Sequence, residues 1–242
     1  MIAAPAAADA IARARRLPRL RVGLHLVLVD GQPALPPEQL PDLVDTGGRL
    51  RNDLARLGLA ISTRPSVRAQ VRAEIDAQFR AYQATGLTLD HVNAHKHFHL
   101  HPTVARDVIA IGRRYGMRSL RVPREPAAVL TQVESGPTGG RGYVAPWTWL
   151  LTRRVRRAGL RATDRVFGLA WSGAMSAARL DGLLRNLPAG STEIYLHPAT
   201  RDAFAGSAPG YRYTGELAAL TAPSVIASMR RADVALGGYS DL

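Results

Sequence analysis

Strand-like and helix-like segments alternate from one end of this chain to the other, and no other feature narrows its fold as much. Residues 20–29, LRVGLHLVLV, are apolar at nearly every position and read as a buried strand. The loop DGQPALPP follows, with Gly and Pro as breakers. Residues 66–85 give the clearest helix: Val67, Val71, Ile75, Phe79 and Tyr82 fall on one stripe, Ser66 is placed to cap it and Gly86 to end it. Residues 87–94 return to strand. Pro102 opens a helix with Val104, Val108, Ile111 and Tyr115 inward, closed by Gly116. The remaining expectations are helices at 3–16, 147–160 and 174–187, helix over most of 213–231, and strands at 118–122, 192–196 and 233–237. The Gly- and Pro-rich stretch 126–146 reads as loop. This order predicts an α/β fold with a mostly parallel sheet. No linker-like break interrupts it, so 1–242 is expected to be one domain. In such folds sites gather at the carboxyl ends of the strands.

Composition removes several classes of function. Apolar residues make up 46% of the 242 and charged residues 21%, which is ordinary for a globular chain. There is no Cys, which excludes disulfides, Cys-ligated zinc, iron–sulfur clusters and a thiol nucleophile. No apolar run reaches the roughly 18 residues of a spanning helix. The opening MIAAPAAADAIARARR is too poor in bulky apolar side chains for a secretory signal. The net charge is +13, and Lys96 is the single lysine among 32 basic residues. So much Arg beside so much Ala is the mark of a GC-rich genome. Nucleic acid is not an expected partner, because no recognition motif is present and aromatics are only 6%.

The histidines carry the chemistry. Of seven, His91, His95, His97, His99 and His101 lie in DHVNAHKHFHLHP, residues 90–102, between an expected strand and an expected helix. His25 lies in the strand 20–29, and His197 follows the strand 192–196. Neutral imidazole is a common ligand of divalent ions, and a catalytic ion uses about three protein donors and one open position. Five imidazoles so close together cannot all reach one ion, so some must orient their neighbours or serve the fold. A carboxylate is the expected third donor. Asp30, Asp90 and Asp241 are the candidates, and the sequence does not choose among them.

A family resemblance runs through the whole chain in order. GLHLVL (23–28), GQPALPP (31–37), HVNAHKHFHLHP (91–102), YLHPA (195–199) and the terminal GGYSDL together resemble the YdjC-like carbohydrate deacetylases, and within them the members associated with hopanoid biosynthesis. The resemblance implies a distorted (β/α) TIM-like barrel and a divalent ion, Zn²⁺ or Mg²⁺, held by one Asp and two His. Matched motif by motif, the two His are His25 and His95, and His197 would assist proton transfer. Asn93 stands where relatives usually have Asp. The family's opening ADDFG motif has no counterpart here, so the chain is expected to lack the first strand and helix and the catalytic Asp pair. An unpaired edge beside strand 20–29 would follow from that.

The implied function is metal-dependent N-deacetylation of an N-acetylglucosaminyl lipid or oligosaccharide, with a hopanoid lipid as the favoured substrate. Arg121, Arg124 and Trp171 are candidate substrate contacts. Residues 144–161 set Trp147, Trp149, Leu150 and Leu151 ahead of Arg153, Arg154, Arg156 and Arg157, an order suited to a membrane surface. A packed helix with a solvated Arg face explains the same residues. The implied location is cytoplasmic and at most peripheral to the inner membrane. The alternative function is a non-catalytic binder of sugar or lipid head groups that has lost its Asp pair.

Overall fold

The computed structural model describes residues 1–135, 144–231 and 233–242. They form two compact units: Met1–Arg121 with Trp147–Ala162 and Gly238–Leu242, and Val122–Pro146 with Thr163–Gly237.

In the first unit, β1 (Leu24–Leu26) and β2 (Val92–Ala94) pair in parallel, with Leu24 opposite Val92, His25 opposite Asn93 and Leu26 opposite Ala94. Parallel bridges from Val92 to Leu120 and from Ser119 to Arg161 extend the arrangement sideways. Leu24, Leu26, Val92, Ala94 and Leu120 are buried, as strands covered by helices must be. Among the described residues β1 has a strand partner only on the β2 side.

The apolar run 20–29 is therefore mostly not ladder. Leu20 is exposed, and beyond Leu26 the backbone finds another partner. The Val27 N–H donates to Gln78 Oε1 at 2.9 Å, and Gln78 Nε2 donates back to the Val27 carbonyl at 2.6 Å. One amide side chain thus takes the place of a neighbouring strand. The segment then turns at Asp30, whose φ is 51°.

Gln78 belongs to α3 (Pro65–Ala84), the helix whose apolar stripe is plainest in the sequence. Val67, Val71, Ile75, Phe79 and Tyr82 are all buried, and burial of such side chains contributes about 1.5–3 kcal/mol each. Its start differs from expectation. Pro65, not Ser66, opens the helix, because proline's fixed φ suits the first helical position and its missing N–H costs nothing there. The helix α4 (Pro102–Arg114) buries Val104, Val108 and Ile111 as expected. One helix of this unit was not expected and one is shorter than expected. α2 (Leu54–Thr63) was not expected; Asp53 caps it, its carboxylate accepting the Arg56 N–H at 3.0 Å. α1 spans only Ala7–Arg15.

The second unit holds β3 (Arg165–Phe167) and β4 (Thr192–Ile194), again parallel, with Arg165 opposite Thr192. Around them lie α5 (Ala127–Val133), α7 (Ala177–Arg185), α8 (Tyr213–Thr221) and α9 (Pro223–Met229). Phe167, Leu183 and Val225 are fully buried at the centre of its core. α5 corrects the expected loop at 126–146: Val129 and Leu130 are buried in that core, and their burial outweighs the breakers that follow. The part of that loop at 136–143 lies outside the described residues. Residues 213–231 split at Ala222–Pro223, since the residue before proline avoids the helical region. No strand forms over the described part of 233–237; the Val234 N–H closes a turn onto Arg231. The segment 118–122 makes only the two bridges above. In the first unit, the helix α6 (Ala145–Arg157), which belongs to it from Trp147 on, stands where 147–160 was expected, with Thr148, Leu151 and Val155 buried.

Candidate functional site at the strand ends

Register brings the first functional side chains together. His25 and Asn93 are direct neighbours across the β1–β2 pair, so their side chains share a face. His25 Nδ1 lies 2.5 Å from Asn93 Oδ1. His95 follows β2 immediately, and its ring meets that of His25 edge-on, with centroids 5.7 Å apart and planes at 71°. Burial above all, aided by the positive charge of the Met1 amino group, His95 and Arg121, pushes the His25 pKa down to about 3. His25 is therefore a neutral lone-pair donor at any physiological pH and a poor carrier of protons.

The chain reverses sharply on either side of this pair. Asp30 after β1, and Lys96 and His97 after β2, are the described non-glycine residues with positive φ, at 51°, 51° and 54°. Such conformations persist only where surrounding contacts over-determine them, and they cluster at sites. Here Lys96 Nζ donates to Asp30 Oδ2 at 2.7 Å and also to Asn52 Oδ1, tying the two turns together. The ammonium holds the Asp30 carboxyl below the usual carboxylate range.

The histidine tract divides by task. His99 is fully buried, and its Nε2 donates to the Arg121 carbonyl at 2.8 Å. His101 sits against α2, with Nε2 3.1 Å from the Gly58 carbonyl and 3.2 Å from Ser62 Oγ. His91 is 2.9 Å from Asp90 Oδ2. Of the five, it is His95 whose ring meets that of His25. Arg121 is 7% exposed, at the end of the buried segment that bridges β2, and its charge acts on His25.

The second unit carries its own histidine. His197 follows β4, and its backbone N–H donates to the Glu216 carboxylate. Glu216 also accepts the Met175 N–H at 3.0 Å and stands 3.9 Å from His197 Nδ1. The rings of Tyr195 and Tyr211 meet the imidazole edge-on at 5.6 and 5.1 Å. Glu216 escaped the sequence reading. It is one acidic residue on a short helix, and only folding buries it, at 1% exposure, behind His197. Trp171 is packed in the core of this unit with the Arg179 guanidinium 5.2 Å from its ring centroid; Arg124 is exposed.

The residues present do not complete a site for a divalent ion. His25 and His95 are donors of the right chemistry, but no group of three or more His, Asp, Glu or Cys suited to an ion occurs among the described residues. The three candidate carboxylates are engaged elsewhere: Asp30 by Lys96, Asp90 by His91 and two backbone N–H groups, and Asp241 by Arg21 at 3.2 Å.

Parallel strands among helices, with imidazoles set just past the strand ends, define an α/β protein of the kind that carries its site at the carboxyl ends of strands. The chain belongs to the YdjC-like protein family, whose model matches residues 1–231. Similar curated proteins are named carbohydrate deacetylase. The one from Geobacillus stearothermophilus is 28% identical over 240 residues, covering 98% of this chain and 82% of that protein. The one from Vibrio vulnificus CMCP6 is 27% identical over 249 residues, covering 100% and 83%. The one from Mus musculus is 28% identical over 269 residues, covering 98% and 82%. A solved structure from Enterococcus faecalis V583, described as a candidate cellobiose-phosphate cleavage protein, shares the fold: TM-score 0.72, 22% identity, 100% of this chain and 85% of that one.

Proposed function

We propose that this protein is a hydrolase that removes the acetyl group from an N-acetylated sugar. The observation that carries the reading is the edge-on pair of imidazoles, His25 and His95, at adjoining strand ends of a chain in the YdjC-like family. The names of its relatives supply the reaction class. The finer reading is an N-acetylglucosaminyl substrate on a hopanoid lipid, with a distorted (β/α) barrel as scaffold.

Amide hydrolysis needs an attacking water, stabilisation of the oxyanion and a proton for the leaving amine. His25, held neutral by burial, offers a lone pair and resists protonation. His197, with the Glu216 carboxylate at its Nδ1 side, is the proton-handling group of the proposal. Arg121 places a fixed positive charge near His25. No step is routed through an ion, because two imidazoles supply fewer than the roughly three donors such a site uses.

The incomplete donor set favours a second reading, a sugar-head binder without turnover. One assay separates the two: acetate release from an N-acetylglucosaminyl lipid and from N-acetylglucosamine oligosaccharides, with and without added Zn²⁺ or Mg²⁺. The expected outcome is acetate release that His25→Ala and His95→Ala abolish and His197→Ala lowers by about 10²–10⁴-fold. Saccharide binding with no acetate under any condition would establish the binder instead.

A further inference from the structure

A chain of polar groups leads from His25 to the carboxyl terminus. Beyond the His25–Asn93 contact, Asn93 Nδ2 is 3.3 Å from His91 Nε2, and His91 Nδ1 is 2.9 Å from Asp90 Oδ2. Asp90 Oδ2 accepts the Tyr239 N–H at 3.1 Å, and Oδ1 accepts that of Ser240 at 3.0 Å. The Tyr239 ring stacks on His91 with centroids 4.5 Å apart and planes at 23°. Asp90, Asn93 and Tyr239 are all buried.

The protons along this chain have one consistent order. A carboxylate only accepts, so His91 Nδ1 must carry the hydrogen that faces Asp90. A singly protonated His91 then has a bare Nε2, which accepts from the Asn93 amide nitrogen. That turns the amide oxygen toward His25, where it accepts the Nδ1–H. His25 Nε2 is left bare. The opposite order fails at its first step, with a ring lone pair facing a carboxylate lone pair.

Two glycines make room for the chain. A Cβ on Gly23 would fall 2.6 Å from His91 Cε1, and one on Gly238 would fall 2.8 Å from Asp90 Oδ1 and 2.5 Å from Arg21 Cγ. The glycine of GLHL and the first residues of the terminal GYSDL thus serve the same feature. Arg21 and the Gly238 N–H each bond to Asp241, which fastens the terminal segment down.

We propose that Asp90, His91 and Asn93 are positioning residues, a hydrogen-bonded relay closed over by Gly238–Leu242 that holds His25 in the tautomer whose Nε2 is bare. The proposal rests on His25 being a site residue, yet its test reads the ring and not turnover, so failure of the deacetylase reading would leave the result unchanged.

The experiment is imidazole ¹⁵N–¹H correlation on the full chain, with the His25 signals assigned by their loss in His25→Gln. The expected wild-type result is a single tautomer with the proton on Nδ1. His91→Phe keeps a ring on Tyr239 but removes the acceptor for Asn93. The amide is then free to turn over, and His25 should become a mixture of tautomers. Asn93→Asp added to His91→Phe should restore the single Nδ1–H form, because a carboxylate can only accept. Removing Gly238–Leu242 should also give a mixture. A proton on Nε2 in the wild type overturns the proposal even if no variant folds. A single unchanged tautomer in His91→Phe overturns the relay, and one in the shortened chain overturns the part given to the terminal residues.

Discussion

At the scale of single residues, one motif type has been divided among several physical tasks. Five imidazoles lie close in sequence, yet burial and partners separate them: His95 meets His25, His99 donates to a backbone carbonyl, and His101 braces α2. His101 also lends itself to a pH test. Burial lowers its pKa below the ordinary 6.5, against a smaller opposing effect of the Gly58 carbonyl. Between the ordinary value and the lowered one, the unfolded chain binds a proton that the fold refuses. Stability contributed by neutral His101 is therefore present above pH 6.5 and is lost as pH falls toward the lowered value. His101→Gln should flatten the fall in unfolding free energy on acidification from pH 7, measured by urea titration at several pH values. An equally steep fall in the variant would show that His101 does not contribute.

At the scale of elements, α3 shows how a helix does more than cover a core. Its apolar stripe was plain from periodicity. The polar residues on the same face were not, because Glu74 and Gln78 look like solvent-facing positions until the backbone they serve is known. Glu74 accepts the Ala34 and Leu35 N–H groups at 2.8 and 3.0 Å, and Gln78 brackets Val27. Both are buried, at 0% and 1% exposure. Gln78→Leu keeps the volume and strands a buried N–H and a buried carbonyl. Each such group costs about 1–3 kcal/mol, so a loss of about 3 kcal/mol is expected in chemical denaturation. A change below about 1 kcal/mol would mean that the segment after β1 re-pairs elsewhere.

At the scale of the whole molecule, the charge of +13 and the surface of α6 belong together. Trp147 and Trp149 are 46% and 60% exposed, and the Arg153 guanidinium lies 4.7 Å from the Trp149 ring centroid. Arg154, Arg156 and Arg157 follow, and the first turn of the helix has no acidic residue. Among the described residues no helix is long and apolar enough to cross a membrane. If this surface meets a membrane, the full chain should sediment with vesicles containing anionic lipid at low salt and lose that affinity as salt shortens the Debye length to about 10 Å at 0.1 M. Trp147→Ala with Trp149→Ala should weaken the binding. Equal sedimentation with neutral vesicles, or none with either, would contradict the reading.

The sequence by itself determined what depends on local pattern: the stripe of α3, the inward face of α4, strand character within 20–29 and 87–94, and the imidazoles in and just past those segments. Its motifs also pointed to the YdjC-like family, which the match over residues 1–231 established. Only the tertiary structure decided how long each strand is, because a ladder ends where a side chain such as Gln78 takes over the backbone. It alone set Asn93 beside His25, since that contact is a matter of register between segments 68 residues apart. It alone brought Tyr239 and Ser240 to Asp90, about 150 residues away. Propensity and periodicity act over a turn or two of chain. The partner of a buried polar group is chosen by whatever folding leaves next to it, and a buried group must find one.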